Sequence, residues 1–309
     1  MIIAIVIPYY KLTFFEETLQ SLANQTDTRF KVYIGDDASP ENPMDLLNQY
    51  KGKFDFVYHR FESNLGGISL TQQWERCIAL SNEEEWIMIL GDDDYLGDTV
   101  VEQFRIHLPE FVSKTNLVRF ASRTIVEAEN YKATICQHPV WETATDAFYR
   151  KFKLITRSSL SEYIFFKNVY EKYGFHDYPL AWNSDDRAWL DFSEEKPIYS
   201  INEGLVCVRL SDLNITGNKD NLALKNASLV AFYEFVIREK LKHFNKYDSV
   251  KIIRKYHYEL KNSKSLDSKD YAFLIKNYMR NINVPVILGF LKKTGLAGQK
   301  HGLLQYSKK

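Results

Sequence analysis

Residues 86–98, WIMILGDDDYLGD, constrain the fold more than any other part of the chain. Trp86-Ile87-Met88-Ile89-Leu90 is an apolar run with the length of a fully buried strand. Gly91 ends it, and Asp92, Asp93 and Asp94 follow at once. A strand that delivers acids at its carboxyl end puts them where open α/β sheets bind ligands. Adjacent carboxylates repel one another and call for a cation or a strongly polar setting. Mg²⁺ and Mn²⁺ take oxygen ligands of this kind, usually together with substrate phosphates. A solvated acidic turn is the plain alternative. A helix-loop-helix calcium loop is excluded, because counting from Asp92 puts Leu96 and Gln103 where oxygen ligands are required.

The preceding residues alternate strand and helix patterns. Residues 2–7 are rich in β-branched side chains and predict a buried first strand, stopped by Pro8-Tyr9-Tyr10. Residues 14–23 have helical spacing, with Phe15, Leu19 and Leu22 on one face. A second strand over 30–34 leads into Gly35-Asp36-Asp37, a helix follows over 44–50, and a third strand over 54–58. Asn64-Leu65-Gly66-Gly67 reads as a turn before a helix over 68–80. This alternation predicts βαβ units and a largely parallel sheet. Two strands therefore end in acids, Asp36-Asp37 and Asp92-Asp93-Asp94. Beyond Asp98 the spacing predicts a helix over 100–111, strands over 116–121 and within 123–141, and a short helix over 148–153. Residues 161–168 read as strand then turn, 169–173 as a helix, and 198–210 as strand, turn and strand.

At 309 residues the length suits about two domains. The three cysteines, Cys77, Cys136 and Cys207, form no CxxC pair, so no zinc or redox motif is present, and so sparse a set suits a reducing cytoplasm. The N-terminal apolar run lacks a basic lead and stops at Pro8, unlike a signal peptide. No stretch approaches the eighteen or so apolar residues of a spanning helix.

IVIPYY, GDDASPE, NLGG and LGDDDYLGD occur in this order and at spacings that resemble the family 2 glycosyltransferases of the GT-A fold. The resemblance covers residues 1–215. It implies an α/β fold, a mostly parallel mixed sheet flanked by helices, and here a helical extension over residues 216–309. It implies transfer of a hexosyl or N-acetylhexosaminyl group, with inversion, from a nucleotide sugar, commonly UDP-linked. It suggests a saccharide or lipid-linked saccharide acceptor and a role in bacterial surface polysaccharide synthesis.

Carried over by position, Pro8, Tyr9 and Tyr10 line the nucleotide site, and Asp37 matches the acid that bonds the base or ribose. A turn-forming or helix-capping role for Asp37 is the alternative. Asn64 and Gly66 match a special turn near the nucleotide, where glycine permits positive φ. Asp93 matches the last acid of the metal-binding DxD, for Mn²⁺ or Mg²⁺, and Asp92 its middle position. Gly91 replaces the first acid, and Asp92-Asp93-Asp94 also reads as DxD one register later. Asp185-Asp186, before Trp189, resemble the acidic pair of the acceptor side. There Asp186, or else Asp185, is the general base, and helix-start acids favoured by the macrodipole are the alternative. Arg209 is placed to neutralise diphosphate, and Ser211 stands where many relatives have histidine. His176 matches no acid of the family and reads as a surface or core histidine.

Residues 238–309 carry 17 Lys and Arg against 5 Asp and Glu, so residues 1–237 bear the opposite excess. This asymmetry points to an anionic partner for the basic region. Helices are expected over 224–246, 249–260 and 269–281, followed by an apolar segment over 284–291 flanked by Lys292-Lys293. Together these suggest peripheral contact with the anionic inner face of a membrane. No nucleic-acid motif accompanies the charge. A sugar nucleotidylyltransferase needs a Gly-rich basic loop after the first strand, which PYYKLTFFEE does not supply. A non-catalytic carbohydrate-binding relative is the other rival.

Overall fold

The computed structural model describes residues 3–215, 217 and 221–281. The chain falls into two compact units, residues 1–228 and 229–309. In the first unit ten strands form one sheet: β1 (Ile3–Tyr9), β2 (Phe30–Asp36), β3 (Phe56–Arg60), β4 (Trp86–Ile89), β5 (Tyr95–Leu96), β6 (Leu117–Val126), β7 (Tyr131–Lys132), β8 (Trp141–Glu142), β9 (Tyr163–Phe166) and β10 (Ile198–Leu210). Their order is β3-β2-β1-β4-β9-β6-β10-β5, with β7 on β6 and β8 on β10. β3, β2, β1 and β4 run parallel, β9 is antiparallel to β4 and β6, and β10 runs parallel to β6. The helices are α1 (Phe15–Ala23), α2 (Met44–Tyr50), α3 (Leu70–Ile78), α4 (Val100–Phe111), α5 (Ala144–Phe152), α6 (Lys167–Tyr173) and α7 (Ser184–Phe192), then α8 (Leu222–Phe235), α9 (Lys246–Ser263) and α10 (Ser268–Asn281).

The central strands are buried on both faces, which is why they read as continuous apolar runs. Trp86 on β4 packs edge-on against Phe104 and Phe111 of α4, at 5.7 and 5.6 Å between ring centroids. This contact fixes the amino end of β4, an interior strand whose carboxyl end leads into the three aspartates. Serine and threonine caps fix two helix starts: Ser69 accepts from the Gln72 N–H, and Thr143 from the Asp146 N–H.

Three expectations change. β1 does not stop at Pro8 but continues to Tyr9, pairing Pro8 with Gly35 and Tyr9 with Asp36. On its other side the pairing with β4 has already ended at Val6–Ile89, so the missing Pro8 N–H interrupts no ladder there. Residues 198–210 form one strand, not two with a turn; an irregularity between Ile201 and Leu205 absorbs the extra residues. Gly204 is required there, because a Cβ would lie 2.7 Å from the Phe120 ring. The single helix expected over 224–246 ends at Phe235 and gives way to a π turn over Val236–Lys240 and a 3₁₀ turn over Leu241–His243. Residues 284–291 lie outside the described residues. Among the described residues no helix is long and apolar enough to cross a membrane.

Candidate active site

The three aspartates after β4 have different jobs. Asp92 turns back toward the end of β1, where its Oδ2 accepts the Tyr10 and Lys11 backbone N–H groups at 2.7 and 2.9 Å. Asp94 is buried and faces the other way: Oδ2 accepts the Ser161 hydroxyl at 2.5 Å and Oδ1 the Arg209 N–H at 2.8 Å. Asp94 thus ties the acidic turn to β10 and to the turn before β9. Between them, Asp93 is half-buried, and among the described residues its one side-chain hydrogen bond comes from Asn214 Nδ2 at 3.5 Å, a weak contact. Burial and the Asp93 charge push both Asp92 and Asp94 up to about 7, against the pull of the N–H groups each accepts. Burial raises Asp93 too, opposed by Asn214 and Arg209. A Cβ at Gly91 would lie 3.0 Å from Asp93 Oδ1, a tight contact that the Asp93 side chain would have to yield to.

Among the described residues no three His, Cys, Asp or Glu side chains converge as a metal cage. Mg²⁺ and Mn²⁺ do not need one in sites of this class, where one or two carboxylates act with substrate phosphates. Asp93 fits that requirement, as a carboxylate whose oxygens the fold hardly uses. Asp94 commits both its oxygens to hydroxyl and backbone donors, and Asp92 commits Oδ2 to two backbone N–H groups.

The end of β2 splits its two acids in the same way. Asp36 is fully buried and accepts Tyr58 Oη at 2.6 Å, Arg60 Nη1 at 2.8 Å and the Ser39 N–H at 2.7 Å. Asp37 accepts the Leu65 and Gly66 N–H groups at 2.7 and 2.9 Å and pairs with Arg76, whose guanidinium lies 3.9 Å over the Phe61 ring. Asp37 is thereby a brace for the Asn64–Gly67 turn. Asn64 closes that turn by accepting the Gly67 N–H at 2.6 Å. Gly66 is not at positive φ; it is glycine because a Cβ would come 2.6 Å from Asp37 Oδ2. Tyr9 offers no side chain here, because its ring is buried against Phe15 and its hydroxyl donates to the Glu41 carbonyl. Tyr10 is 36% exposed beside Asp92, and its carbonyl accepts Ser39 Oγ.

Arg209 is 6% exposed and its guanidinium is committed: it pairs with Glu17 and Glu127, donates Nε to the Asp93 carbonyl at 2.9 Å and lies 4.1 Å over the Phe14 ring. It holds the acidic turn from behind. Ser211 is buried, and its hydroxyl accepts the Leu213 N–H.

The second acidic pair opens α7. The loop before it has Leu180, Ala181 and Asn183 at φ of 61°, 52° and 67°, each costing on the order of 1 kcal/mol for a residue with a side chain. Asp186 is buried. Lys151 Nζ donates to both its oxygens at 2.7 Å, and Asn183 Nδ2 adds a third bond at 2.7 Å. Burial works against the Lys151 charge, but Asp186 and Asp185 hold its ammonium above the ordinary lysine range. Asp185 is half-buried with no side-chain partner among the described residues. Burial, and next the Asp186 charge, push its carboxyl up to about 7, offset in part by Lys151. Trp189 of α7 stacks on Tyr163 of β9 at 4.2 Å, and Ser161, two residues before Tyr163, holds Asp94. One short segment therefore positions both acidic sets. His176 is exposed, edge-on to Tyr178.

Sequence reasoning missed Arg76, Lys151, Ser161 and Asn214. None carries a local signal: Arg76 is 39 residues from Asp37 and Lys151 is 35 from Asp186.

A family model described as glycosyl transferase family 2 matches residues 4–164. Over 120 residues the chain is 26% identical to the poly(ribitol-phosphate) beta-N-acetylglucosaminyltransferase TarS of Staphylococcus aureus, covering 38% of this chain and 20% of that protein. Over 101 residues it is 36% identical to a poly(ribitol-phosphate) beta-glucosyltransferase of Bacillus spizizenii, covering 31% of this chain and 16% of that one. The matched stretch thus spans a fifth or less of these relatives. Among solved structures, residues 1–349 of TarS in complex with UDP-GlcNAc superpose with a TM-score of 0.63 at 13% identity, covering 90% of this chain and 79% of that one. A mannosyltransferase from Pyrobaculum calidifontis, solved with GDP-Man and Mn²⁺, gives 0.57 at 12% identity, covering 96% and 80%. These two likenesses establish the GT-A fold.

Proposed function

Because this chain belongs to glycosyl transferase family 2, we propose that it moves a hexosyl or N-acetylhexosaminyl group, with inversion, from a UDP-linked donor to a hydroxyl of a phosphate-linked polyol or saccharide chain. The observation that carries this reading is the division of labour at the two strand ends. In each acidic cluster, hydrogen-bonded carboxylates brace the surrounding chain, and after β4 Asp93 is the least engaged. The UDP donor and the poly(ribitol-phosphate) acceptor are taken from what the relatives' names and complexes state.

In this reading the turn braced by Asp37 and Arg76 shapes the nucleoside end of the donor site, with Tyr10 and the Asp92-bonded backbone beside it. Asp93 would hold Mn²⁺ or Mg²⁺, with Asp92 as its neighbour, and such an ion supplies charge neutralisation on a departing diphosphate. We assign the general base to Asp185, where sequence reasoning favoured Asp186. Asp186 is bound by three donated bonds, two from an ammonium, so its oxygens are already engaged. Asp185 has no side-chain partner among the described residues, and its raised proton affinity suits a base working near neutral pH. The acceptor oxygen attacks the anomeric carbon, the bond to the diphosphate oxygen breaks, and the hydroxyl proton passes to Asp185.

The test is direct transfer. UDP-GlcNAc and UDP-glucose are incubated with a ribitol-phosphate oligomer, and the product is read by mass and by anomeric proton coupling. A β-linked product from an α-linked donor supports the reading. Donor binding without turnover on any acceptor would make the chain a non-catalytic relative instead.

A further inference from the structure

We propose that the outer face of α9 is a docking surface for the polyanionic acceptor chain. This rests on the acceptor class proposed above, but on residues that the candidate active site does not use. Tyr247, Lys251, Arg254, Tyr258 and Lys261 follow one another at intervals of four, three, four and three residues, which places them on one face of the helix. At 1.5 Å per residue the stripe is about 21 Å long. Tyr247 and Tyr258 are 70% and 62% exposed. Among the described residues Arg254 and Lys261 are exposed and have no ion-pair or hydrogen-bond partner.

The face carries no acid. Of the two acids in α9, Asp248 bonds to Asn245 at the helix start, and Glu259 is buried and paired with Lys255. The surrounding field has the same sign, since residues 238–281 hold 12 Lys and Arg against 5 Asp and Glu. Charge complementarity therefore selects an anionic partner.

The other face of α9 decides what kind of anion. Ile252, Ile253, Tyr256 and Leu260 are buried, and Tyr256 packs edge-on to Phe273 of α10 at 5.6 Å. A helix lying in a membrane interface must give its apolar face to lipid. The apolar face of α9 is already committed to packing. What it presents outward is hydroxyls and cations. Lys251 lies 4.2 Å over the Tyr247 ring and Lys255 5.7 Å over the Tyr258 ring, so one face of each ring is occupied. That arrangement sets phenol hydroxyls beside ammonium groups along the stripe. A chain alternating hydroxyls with phosphates matches it.

The experiment measures binding by the full chain to a synthetic ribitol-phosphate octamer, by calorimetry at low and moderate salt. The wild type is compared with Lys251→Gln/Arg254→Gln/Lys261→Gln and with Tyr247→Ser/Tyr258→Ser; Arg254→Gln alone covers the case in which the triple variant folds poorly. We expect the octamer dissociation constant to rise at least tenfold in the triple variant and about threefold in the tyrosine pair and in Arg254→Gln. Melting temperature and UDP-GlcNAc affinity should be unchanged, and the salt dependence flatter. The proposal is overturned if the variants bind the octamer like the wild type, or if the wild type does not bind it. It is equally overturned if an eight-nucleotide oligothymidylate competes as well as the octamer, or if phosphatidylglycerol vesicles bind the wild type through these residues and the octamer does not. A wild type that fails to bind UDP-GlcNAc in the same samples would instead count against the donor reading.

Discussion

Lys151 Nζ sits 2.7 Å from both carboxylate oxygens of Asp186, and Asp185, one residue earlier on the same first turn of α7, has no side-chain partner among the described residues. Two neighbouring acids are thereby given different chemistry. One is a fixed anion inside an ion pair, and the other is an acid with raised proton affinity at the mouth of a strained loop. Asp185→Asn should lower kcat by at least about 10²-fold with little change in UDP binding. Asp186→Asn should lower kcat less and should also lower stability, because it leaves the Lys151 charge with one partner fewer. Steady-state kinetics with parallel melting curves separate the two, and full activity in Asp185→Asn would sink the base assignment.

The pH dependence has a defined sign. As a base Asp185 works deprotonated, so kcat/KM should rise about tenfold per pH unit and level off near pH 7, where its carboxyl titrates. Its folded value lies above the unfolded 3.8, so its contribution to stability is full below about pH 4 and lost as pH rises through about 7. Asp185→Asn removes a charge that the folded state holds at a cost. Chemical unfolding should therefore find it more stable than the wild type at pH 8, by a margin that shrinks at pH 5. The same margin at both pH values would contradict the titration.

Lys151→Met should destabilise by about 2 kcal/mol, because it strands the Asp186 carboxylate beside Asn183. This is below the cost of breaking a fully buried pair, because the Lys151 side chain is 30% exposed. Lys151→Arg should recover most of the loss. Urea unfolding of the three proteins gives the comparison, and a Lys151→Met protein as stable as the wild type would mean that the pair is ornamental.

Gly66→Ala tests the nucleotide side. The added Cβ would lie 2.6 Å from Asp37 Oδ2, so the brace between Asp37, Gly66 and Arg76 must open. UDP affinity should fall at least about tenfold while the sheet stays intact. Gly52→Ala, which meets no atom within 4 Å, should leave UDP binding alone despite its own positive φ. Equal affinities for Gly66→Ala and the wild type would detach the brace from the donor site.

Much of the fold was legible because its signals are local. The β-branched run of β1, the apolar run of β4 and the bounds of α2 and α4 were all readable from spacing. The acids at the ends of β2 and β4 were legible for the same reason. Which acid does what was not, because that depends on partners far off in sequence. Asp94 takes the N–H of Arg209, 115 residues away, and Arg209 pairs with Glu17, 192 residues away. β10 was read as two strands because the irregularity after Ile201 looks like a turn until Gly204 is seen against Phe120.

The central claim of the proposed function is that Asp93, the least hydrogen-bonded of the three acids after β4, would hold the divalent cation that neutralises the donor diphosphate. Thermal unfolding with UDP, in the presence of Mn²⁺ or of chelator, measures it directly in the wild type and in Asp93→Asn. A ligand at about a hundred times its dissociation constant adds roughly 2.7 kcal/mol, well above detection. We expect Mn²⁺ to enlarge the UDP-induced stabilisation of the wild type and to leave that of Asp93→Asn at its chelator value. A Mn²⁺ increment that survives in Asp93→Asn, or one that is absent from the wild type, would contradict the account.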